Sequence, residues 1–476
     1  MKKPILIIAT LFVIVSLIFG GCTSTPTSTP TSTTTAVTQA TPTTSTSSPT
    51  SSTTLTPTTT PTPSDTTPPP AITGLIANNA YDGKINLWWD KSTTADFDHY
   101  NIYVNKTEMA NVTGIKAIQQ IKDIATCRYQ ITGLEDGNSY YFTVTAVDRS
   151  GNEDVQVASV SATPTPMPRG TKDSDIAVDI YQSDKAWAGT TILTIDYEVN
   201  NHHIKEVNML GEVIWQQIVP QKSVVVEAEL LSNNNILYSA SNGVFEIDRS
   251  GEIVWSYLTD KIDHDADRLP NGNTIFVFGM SDQKNDAQVV EVNQEGQVVW
   301  KWYAKDYFDK PPFDSIYEEG SWVHTNAVTR LANGNTLISL RNFDFVVEVD
   351  PQGAVVRTIG EGVFYHQHDP ELLPNGNLLI CDHAVPNSVI EYDPATSKVV
   401  WKYKFPKEIE DQDRQKIRDA NRLPNGNTLV VGSTIMAEVT PQGEIVWRLN
   451  FKGVAAPSSS PVTHPFYKAD RISTYN

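Results

Sequence analysis

The sequence predicts an all-β protein in which a six-bladed β-propeller follows a small β-sandwich and a disordered Ser/Thr/Pro-rich stalk. A unit that reads Glu-Val-Asp-x-x-Gly-x-Val-Val-Trp in its consensus form recurs six times in roughly the last three hundred residues, and repeats of this size are typical of propeller blades. Ahead of them, short alternating apolar runs between turn signals indicate strands. Only 39% of the 476 residues are apolar and 19% are charged, because the stalk contains little of either class.

Residues 1–22 are typical of an export signal. Two lysines precede an apolar run, and two glycines precede Cys22. This ending resembles a lipoprotein lipobox, in which Cys22 would carry the lipid. Because Phe19 stands where such boxes usually carry Leu, an uncleaved membrane anchor is the alternative, although the run is short for a full span. Both alternatives predict an exported protein that is anchored on the outer face of the cell membrane.

Residues 23–68 are nearly all Thr, Ser or Pro. Such a segment has too little apolar surface to offset the entropy lost on ordering, so it is expected to stay extended as a linker.

Residues 69–163 are predicted to form the β-sandwich. Runs such as "INLWWD" and "ITGLEDGNSYYFTVTAVDRSGN" resemble a fibronectin type III domain. Within the second run, Tyr140, Phe142, Val144 and Ala146 recur at period two, so they should share the core face of one strand. Domains of this kind mostly act as spacers or adhesive modules.

Residues 175–476 contain the repeats from which the propeller is predicted. The copies of the first unit begin at Glu206, Glu246, Glu291, Glu348, Glu391 and Glu438. A second unit, typified by Leu-Pro-Asn-Gly-Asn, begins at Leu231, Leu269, Leu331, Leu373 and Leu423. Each unit reads as a hairpin, and two hairpins per period give the four antiparallel strands of a blade.

The sixth copy of the second unit is split between the two ends of this region. "YKADRI" at Tyr467 parallels "HDADRL" at His264, and "WAGTTILT" at Trp187 parallels "PNGNTIFV" at Pro270. The C-terminus is therefore predicted to supply the inner strand of a blade whose other strands come from about residues 186–215, which would remove the free sheet edges.

Polar residues interrupt the repeat at equivalent positions. Five residues before the Leu of each second unit, or at its split counterpart, stand Val226, His264, Asn326, His368, Arg418 and Tyr467. Two residues earlier stand His324 and His366, and after the next strand stand Arg341 and His383. Structural repetition alone would favour one apolar residue type at such positions. These side chains are therefore predicted to converge in the central funnel as a donor-rich pocket for an oxyanion.

Several classes of function are excluded or disfavoured by the sequence. The formal charge of -19 argues against nucleic acid as a partner. No glycine pattern for nucleotide binding and no serine nucleophile elbow is present. The three cysteines, Cys22, Cys127 and Cys381, match no zinc spacing. We therefore predict neither a metal nor a cofactor.

The repeats "HDADRLPNGN", "VHTNAVTRLANGN", "HQHDPELLPNGN" and "GEIVW" resemble the arylsulfotransferase family. The resemblance implies a six-bladed propeller that moves a sulfuryl group from an aryl sulfate to a phenol without a nucleotide sulfate donor. It implies that His368 is the nucleophile and forms a sulfohistidine. It further implies that four residues bind the sulfuryl oxygens and handle the phenolic proton: His264, His324, Asn326 and Arg341. Weaker substrate-binding candidates are His366, His383, Arg418 and Tyr467.

Two other functions remain open from the residues alone. A stalked propeller with a fibronectin-like domain could be a non-catalytic surface protein for binding or adhesion. Alternatively, His366 and His368 could chelate a metal with His264 or His324 and support hydrolysis, although no carboxylate clearly completes such a shell.

Overall fold

The computed structural model describes residues 65–198, 201–219, 225–384, 387–409, 416–452 and 465–472. The predicted signal, Cys22 and most of the stalk lie outside the described residues. Within the described ranges, no helix has the length and apolar character needed to cross a membrane. Nearly all regular structure is β, which confirms the predicted fold class.

Residues 76–162 form a β-sandwich of two antiparallel sheets. The first has the order β1-β2-β5 and the second β4-β3-β6-β7. The strands are β1 (Ile76–Asn79), β2 (Ile85–Trp88), β3 (Phe97–Asn105), β4 (Gln119–Ile121), β5 (Arg128–Ile131), β6 (Tyr140–Asp148) and β7 (Val160–Ala162). The four β6 residues predicted to share a core face are all buried in one cluster between the sheets: Tyr140, Phe142, Val144 and Ala146.

The described residues that follow the sandwich form six further antiparallel sheets, which we number 1 to 6 along the chain. Sheet 1 contains β8 (Thr171–Lys172), β10 (Thr190–Glu198), β11 (Asn201–Val207), β12 (Glu212–Val219) and β33 (Ala469–Ile472). Sheet 2 contains β13 (Val225–Leu230), β14 (Ile236–Ala240), β15 (Gly243–Ile247) and β16 (Ile253–Leu258). Sheet 3 contains β17 (Ala266–Arg268), β18 (Thr274–Val277), β19 (Val289–Val292) and β20 (Val298–Trp302).

Sheet 4 contains β21 (Thr325–Arg330), β22 (Thr336–Leu340), β23 (Phe345–Val349) and β24 (Val355–Ile359). Sheet 5 contains β25 (His368–Leu372), β26 (Leu378–Asp382), β27 (Ser388–Asp393) and β28 (Lys398–Tyr403). Sheet 6 contains β29 (Asp419–Arg422), β30 (Thr428–Val431), β31 (Ile435–Val439), β32 (Ile445–Phe451) and β9 (Ile176–Tyr181). The segment between sheets 3 and 4 includes the helix α1 (Lys305–Phe308) and a 3-10 turn at Phe313–Ser315.

The predicted split sheet is present. The C-terminal strand β33 pairs antiparallel with β10, and the order of sheet 1 is β33-β10-β11-β12-β8. Conversely, β9 from the start of this region adds a fifth strand to the outer edge of sheet 6. Both ends of the repeat region are therefore held by strands that are distant in sequence.

The repeated residues have a structural role in sheets 2 to 6. The last Asn of each Asn-rich turn donates a hydrogen bond to the Glu that opens the next unit, as in Asn273 to Glu291 (2.6 Å) and Asn377 to Glu391 (2.6 Å). Since these glutamates are largely buried, the bonds compensate part of the cost of removing the carboxylates from water. The Asn-Gly-Asn and Glu signatures are thus two halves of one interaction.

The repeated Trp side chains join neighbouring sheets. In sheets 1, 2, 5 and 6 the repeated indole N–H donates to a backbone carbonyl in the turn of the following sheet: Trp215 to Arg249, Trp255 to Gln294, Trp401 to Pro441 and Trp447 to Met209. In sheet 3 the equivalent bond, to Gly353 in sheet 4, comes from Trp302, two residues after the repeated Trp300. The bond of Trp447 runs from sheet 6 to sheet 1. The sixth sheet therefore meets the first by the same kind of contact as these neighbouring sheets, which supports the predicted six-bladed ring.

Candidate active site

The five residues that the resemblance assigns to catalysis lie at one end of the innermost strands. First strands of neighbouring sheets pack together, as β21 does against β25, and so form the innermost layer. In an antiparallel pair the start of the first strand adjoins the end of the second, so residues from both positions meet. All five are buried, with exposures of 6% or less: His264, His324, Asn326, Arg341 and His368.

His264 is held by a carboxylate. Its Nδ1 is bonded to the Asp263 carboxylate, which also accepts the backbone N–H of Met280 at 2.6 Å. The bond fixes the proton on Nδ1 and leaves Nε2 for the funnel. The ring centroid of His264 lies 5.1 Å from that of His324 and 5.8 Å from that of Tyr467, with edge-on geometry in both pairs.

His324 is buried, neutral and positioned by its backbone. Asp282 accepts hydrogen bonds from the N–H groups of Trp322, Val323 and His324 at 3.1 to 3.2 Å. Burial, together with the nearby charges of His264, Arg341 and His366, lowers the pKa of His324 to about 2. Its Nδ1 is buried with no hydrogen-bond partner among the described residues. An orphaned polar atom of this kind is typical of a position that a ligand completes.

Three of the site histidines have left-handed backbones. The φ angles are 59° at His264, 54° at His324 and 45° at His366. Such angles are unfavourable for a residue with a side chain, and they concentrate at functional sites. Each of the three stands just ahead of an innermost strand, so this strain recurs at the positions that face the site.

Asn326 and Arg341 provide donors next to His324. The Asn326 amide donates to the Gln367 carbonyl at 2.8 Å, while its Oδ1 is buried without a partner among the described residues. Arg341 Nη1 donates to Asn342 Oδ1 at 2.9 Å, and its Nη2 lies 3.2 Å from a carboxylate oxygen of Glu319. Glu319 is 62% exposed, so the anion on Arg341 can be exchanged with solvent species.

His368 has the geometry of a neutral nucleophile. Its Nδ1 lies 3.0 Å from the backbone oxygen of His366, which can only accept, so Nδ1 carries the proton and Nε2 carries the lone pair. Its ring stacks on that of His383 at 4.3 Å. Burial, and the charges of His383 and Arg418, hold the pKa of His368 well below its usual range.

The four weaker candidates surround this layer and are partly buried. His383 Nε2 donates to the Ile417 carbonyl at 2.8 Å, and burial lowers the pKa of His383 to about 3. The Arg418 guanidinium lies over the Tyr467 ring, 5.2 Å from its centroid. His366 stacks on Tyr365 and its Nε2 lies 2.9 Å from Glu318. All nine predicted residues therefore come from consecutive sheets to one region.

Sequence reasoning missed the carboxylates of the site. Glu318 and Glu319 reach His366 and Arg341 from the non-repeating segment 303–324, where no equivalent position exists in another sheet. Asp263 directly precedes His264 in the sequence, but the repeat pattern did not indicate that its carboxylate belongs to the site. In that segment Trp322 and Phe308 are buried in a core cluster and Phe313 packs against it, so they support the rim rather than face a ligand.

A cavity of about 770 Å³ lies next to the site along the same strands, and its lining includes none of the nine predicted residues. Its acidic lining residues are Glu227, Glu229, Asp265, Asp267, Asp369, Glu371, Asp419 and Asp470. The Nζ atom of Lys468 lies 2.9 Å from Glu227, 2.6 Å from Asp265 and 3.1 Å from Asp369. Burial raises the pKa of most of these carboxyl groups, to about 7 for Glu229 and Glu371, so the cavity differs in chemistry from the neighbouring layer of histidine and arginine side chains.

Comparisons with known proteins agree with both resemblances. Residues 198–368 match the model of the arylsulfotransferase (ASST) family, and residues 68–161 match that of the fibronectin type III domain. The first range contains all five residues of the catalytic set. The chain thus carries an arylsulfotransferase domain, which supports a sulfotransferase function in general.

Curated relatives match a short stretch. Chitinase D of Niallia circulans is 36% identical and Chitinase Chi52 of Paenibacillus xylanexedens is 32% identical, each over 114 residues, or 23% of this chain. The match covers 20% of each of these relatives.

Solved structures with a similar backbone include a Bacteroides caccae protein of unknown function (TM-score 0.42, 17% identity, 56% of this chain and 95% of that one). The virginiamycin B lyase of Staphylococcus aureus has a TM-score of 0.37 at 10% identity, over 57% of this chain and 87% of that one. The WD40 β-propeller domain of Doa1 has a TM-score of 0.36 at 12% identity, over 67% and 90%.

Proposed function

We propose, from the arylsulfotransferase domain that residues 198–368 match, that this protein transfers a sulfuryl group from a phenolic sulfate ester to a phenolic acceptor. The transfer proceeds in two displacements through a sulfohistidine at His368 and needs no nucleotide sulfate donor. The observation that carries the proposal is the burial of a neutral histidine, with its Nε2 lone pair free, among oxyanion donors.

In the first displacement, Nε2 of His368 attacks the sulfur and the bond from sulfur to the phenolic oxygen breaks. The leaving phenolate takes a proton from Nε2 of His264, whose Nδ1–H is held by the Asp263 carboxylate. In the second displacement, His264 removes the proton of the acceptor phenol, whose oxygen attacks sulfur and releases His368. Each imidazole returns to its starting state, so the cycle balances.

The remaining donors stabilise the charge that develops on the three non-bridging sulfuryl oxygens. Arg341 supplies a buried guanidinium, and the Asn326 amide adds a preorganised dipole beside it. Donors that are already oriented cost no reorganisation during the reaction and act strongly where water is excluded. His324 remains neutral, so it can donate or accept one hydrogen bond without adding a competing proton.

The experiment is transfer from 4-nitrophenyl sulfate by the full chain, with and without phenol and with a chelator control. We expect nitrophenolate release that depends on phenol, survives chelation and gives phenyl sulfate by mass spectrometry. His368→Asn should reduce release to background, because no other group in the site replaces its lone pair. The matched control His99→Asn changes a histidine in the β-sandwich and should keep the wild-type rate.

Two results would contradict this function. Absence of turnover across a panel of aryl sulfates would favour a binding or adhesive protein. Hydrolysis that chelation abolishes would favour the metal-dependent alternative.

We also propose that the N-terminal segment anchors this activity at the outer face of the cell membrane, through a lipid on Cys22 or an uncleaved anchor. Fractionation of cells that produce the wild type and Cys22→Ser decides between the two. Release of the variant from the membrane supports lipidation, retention supports the uncleaved anchor, and a soluble wild type contradicts both.

A further inference from the structure

Arg418 is a cation beside the candidate active site that makes no direct ion pair with a carboxylate of the described residues. Its Nη1 atom is buried and makes no hydrogen bond within the described residues. Among the described residues no carboxylate forms an ion pair with its guanidinium. The guanidinium instead makes a cation–π contact with the face of the Tyr467 ring. A partly buried guanidinium held on an aromatic face keeps its donors oriented and undersatisfied, as an anion-binding arginine requires.

Arg418 lies close to the reacting centre. The ring of His368 stacks on His383, whose Nε2 donates to the carbonyl of Ile417, the residue before Arg418. A short chain of direct contacts therefore runs from the nucleophile to the backbone of the arginine. The exposed side chain of Lys416 adds a further positive charge within electrostatic range of Arg418 and Arg341.

The carboxylates of the site are directly paired with groups other than Arg418 and Lys416. Glu319 pairs with Arg341, while Asp263 and Glu318 are engaged with His264 and His366. The sulfuryl group of an aryl sulfate carries a single negative charge, and Arg341 with its neighbours already provides for it. Arg418 and Lys416 interact with Glu319 at longer range and make no direct ion pair among the described residues, so they are available to a second anion.

We propose that Arg418, on its Tyr467 platform, forms a second anion subsite that binds a carboxylate substituent of the aromatic donor or acceptor. The proposal rests on the proposed function for the identity of the aromatic ligand. It narrows the substrate class to phenols and aryl sulfates that carry a carboxylate in addition to the reacting oxygen. A planar guanidinium can hold such a group through two parallel hydrogen bonds.

The test is equilibrium binding to the full chain, measured by titration calorimetry at pH 7 with two probes of the same shape. 4-Hydroxybenzoate carries the carboxylate and 4-hydroxybenzamide carries a neutral amide. We expect wild type to bind the carboxylate at least about tenfold more tightly, since charge-assisted bonds are roughly twice as strong as neutral ones. Arg418→Met should abolish the difference. Arg357→Met, on the half-exposed outer strand β24, is the matched control and should retain it.

Thermal unfolding verifies that each variant is folded, and Arg418→Gln gives the same comparison if the Met variant is not. Equal affinity of wild type for the two probes would overturn the proposal, as would a carboxylate preference that survives loss of the arginine. If Arg418→Met instead loses binding of inorganic sulfate and wild type shows no carboxylate preference, Arg418 serves the sulfuryl group and the proposal is wrong. The calorimetric test measures binding and does not require turnover. A failure of transfer from 4-nitrophenyl sulfate would therefore contradict the proposed function without deciding whether the carboxylate subsite exists.

Discussion

At the scale of single residues, the division of labour among the histidines follows from their hydrogen-bond partners. His368 is held by a carbonyl oxygen, which fixes its tautomer, while burial and nearby charges keep its pKa well below the usual range. His264 is held by a carboxylate, and in the proposed mechanism it is the residue that gives up and takes back the proton. The proposed roles of the two histidines thus differ with the group that is hydrogen-bonded to Nδ1 of each ring.

This assignment predicts the effect of Asp263→Asn. The amide retains an oxygen for the backbone N–H of Met280 but removes the charge that stabilises protonated His264. Transfer should fall on the order of a hundredfold in kcat, as for loss of one general acid-base contribution. The KM should change little, because Asp263 does not touch the ester.

The measurement is the pH dependence of kcat for transfer from 4-nitrophenyl sulfate to phenol. The control Asp260→Asn changes an exposed residue three positions earlier in the same loop and should behave as wild type. An Asp263→Asn enzyme with unchanged kcat and an unchanged pH profile would show that His264 does not need its carboxylate.

The sequence predicted the site residues through equivalence between repeats, and that method has a physical limit. His264, Asn326, His368 and Arg418 were visible because they replace one another at a single register position. Glu318 and Glu319 were not, since they lie in a turn that only one interval between sheets contains. Contacts made by a unique insertion depend on its folded path, and residue spacing does not define that path.

At the scale of elements, the C-terminal strand shows what the repeat pattern can and cannot predict. The pairing of β33 with β10 was predicted because "YKADRI" parallels the inner-strand sequence of another repeat. The role of Lys468 was not, since no other copy has a lysine at that position. Its partners belong to sheets 2, 3 and 5 and meet only around the common centre.

Lys468 is therefore predicted to hold the innermost strands together. Burial alone would lower its pKa, but Asp265, Asp369 and Glu227 raise it well above the usual range. Lys468→Met should destabilise the fold by about 3 to 5 kcal/mol, as when one partner of a buried ion pair is removed. The loss should be larger at pH 8 than at pH 5, because the abandoned carboxylates can take up protons in acid.

Thermal or denaturant unfolding of the full chain at the two pH values measures this effect. Lys404→Met removes a lysine from an exposed position and serves as the control. Equal stability of Lys468→Met and wild type at pH 8 would contradict the assigned role.

At the scale of the whole molecule, the net charge of -19 does not show that two buried regions of different chemistry lie side by side. One is the layer of histidines and arginines, and the other is the acidic cavity beside it. The β-sandwich packs near the acidic region. The ring centroids of Trp88 and Trp187 lie 6.3 Å apart in an edge-on arrangement, and the charges of Arg128 and Glu371 interact electrostatically. The fibronectin type III domain is thus in contact with the region of the six sheets, which its sequence alone, typical of a spacer, did not predict.

The acidic cavity predicts a pH dependence of stability that is opposite to that of a surface carboxylate. Burial, and the charge of Asp369, raise the pKa of Glu371 to about 7, whereas the pKa of a glutamate in the unfolded chain is near 4.5. Between these values the folded state binds more protons than the unfolded state, so the contribution of Glu371 to stability is present in acid and is lost as the pH rises through 7.

The variant Glu371→Gln removes this pH-dependent contribution to stability. We expect the free energy of unfolding of wild type, relative to the variant, to fall by an amount on the order of 1 kcal/mol or more between pH 5 and pH 8. Denaturant unfolding across that range measures the difference, with Glu252→Gln at an exposed position as the control. A difference between wild type and Glu371→Gln that stays constant or grows with pH would mean that this carboxylate is ionised in the folded protein, and that the cavity tolerates its full negative charge.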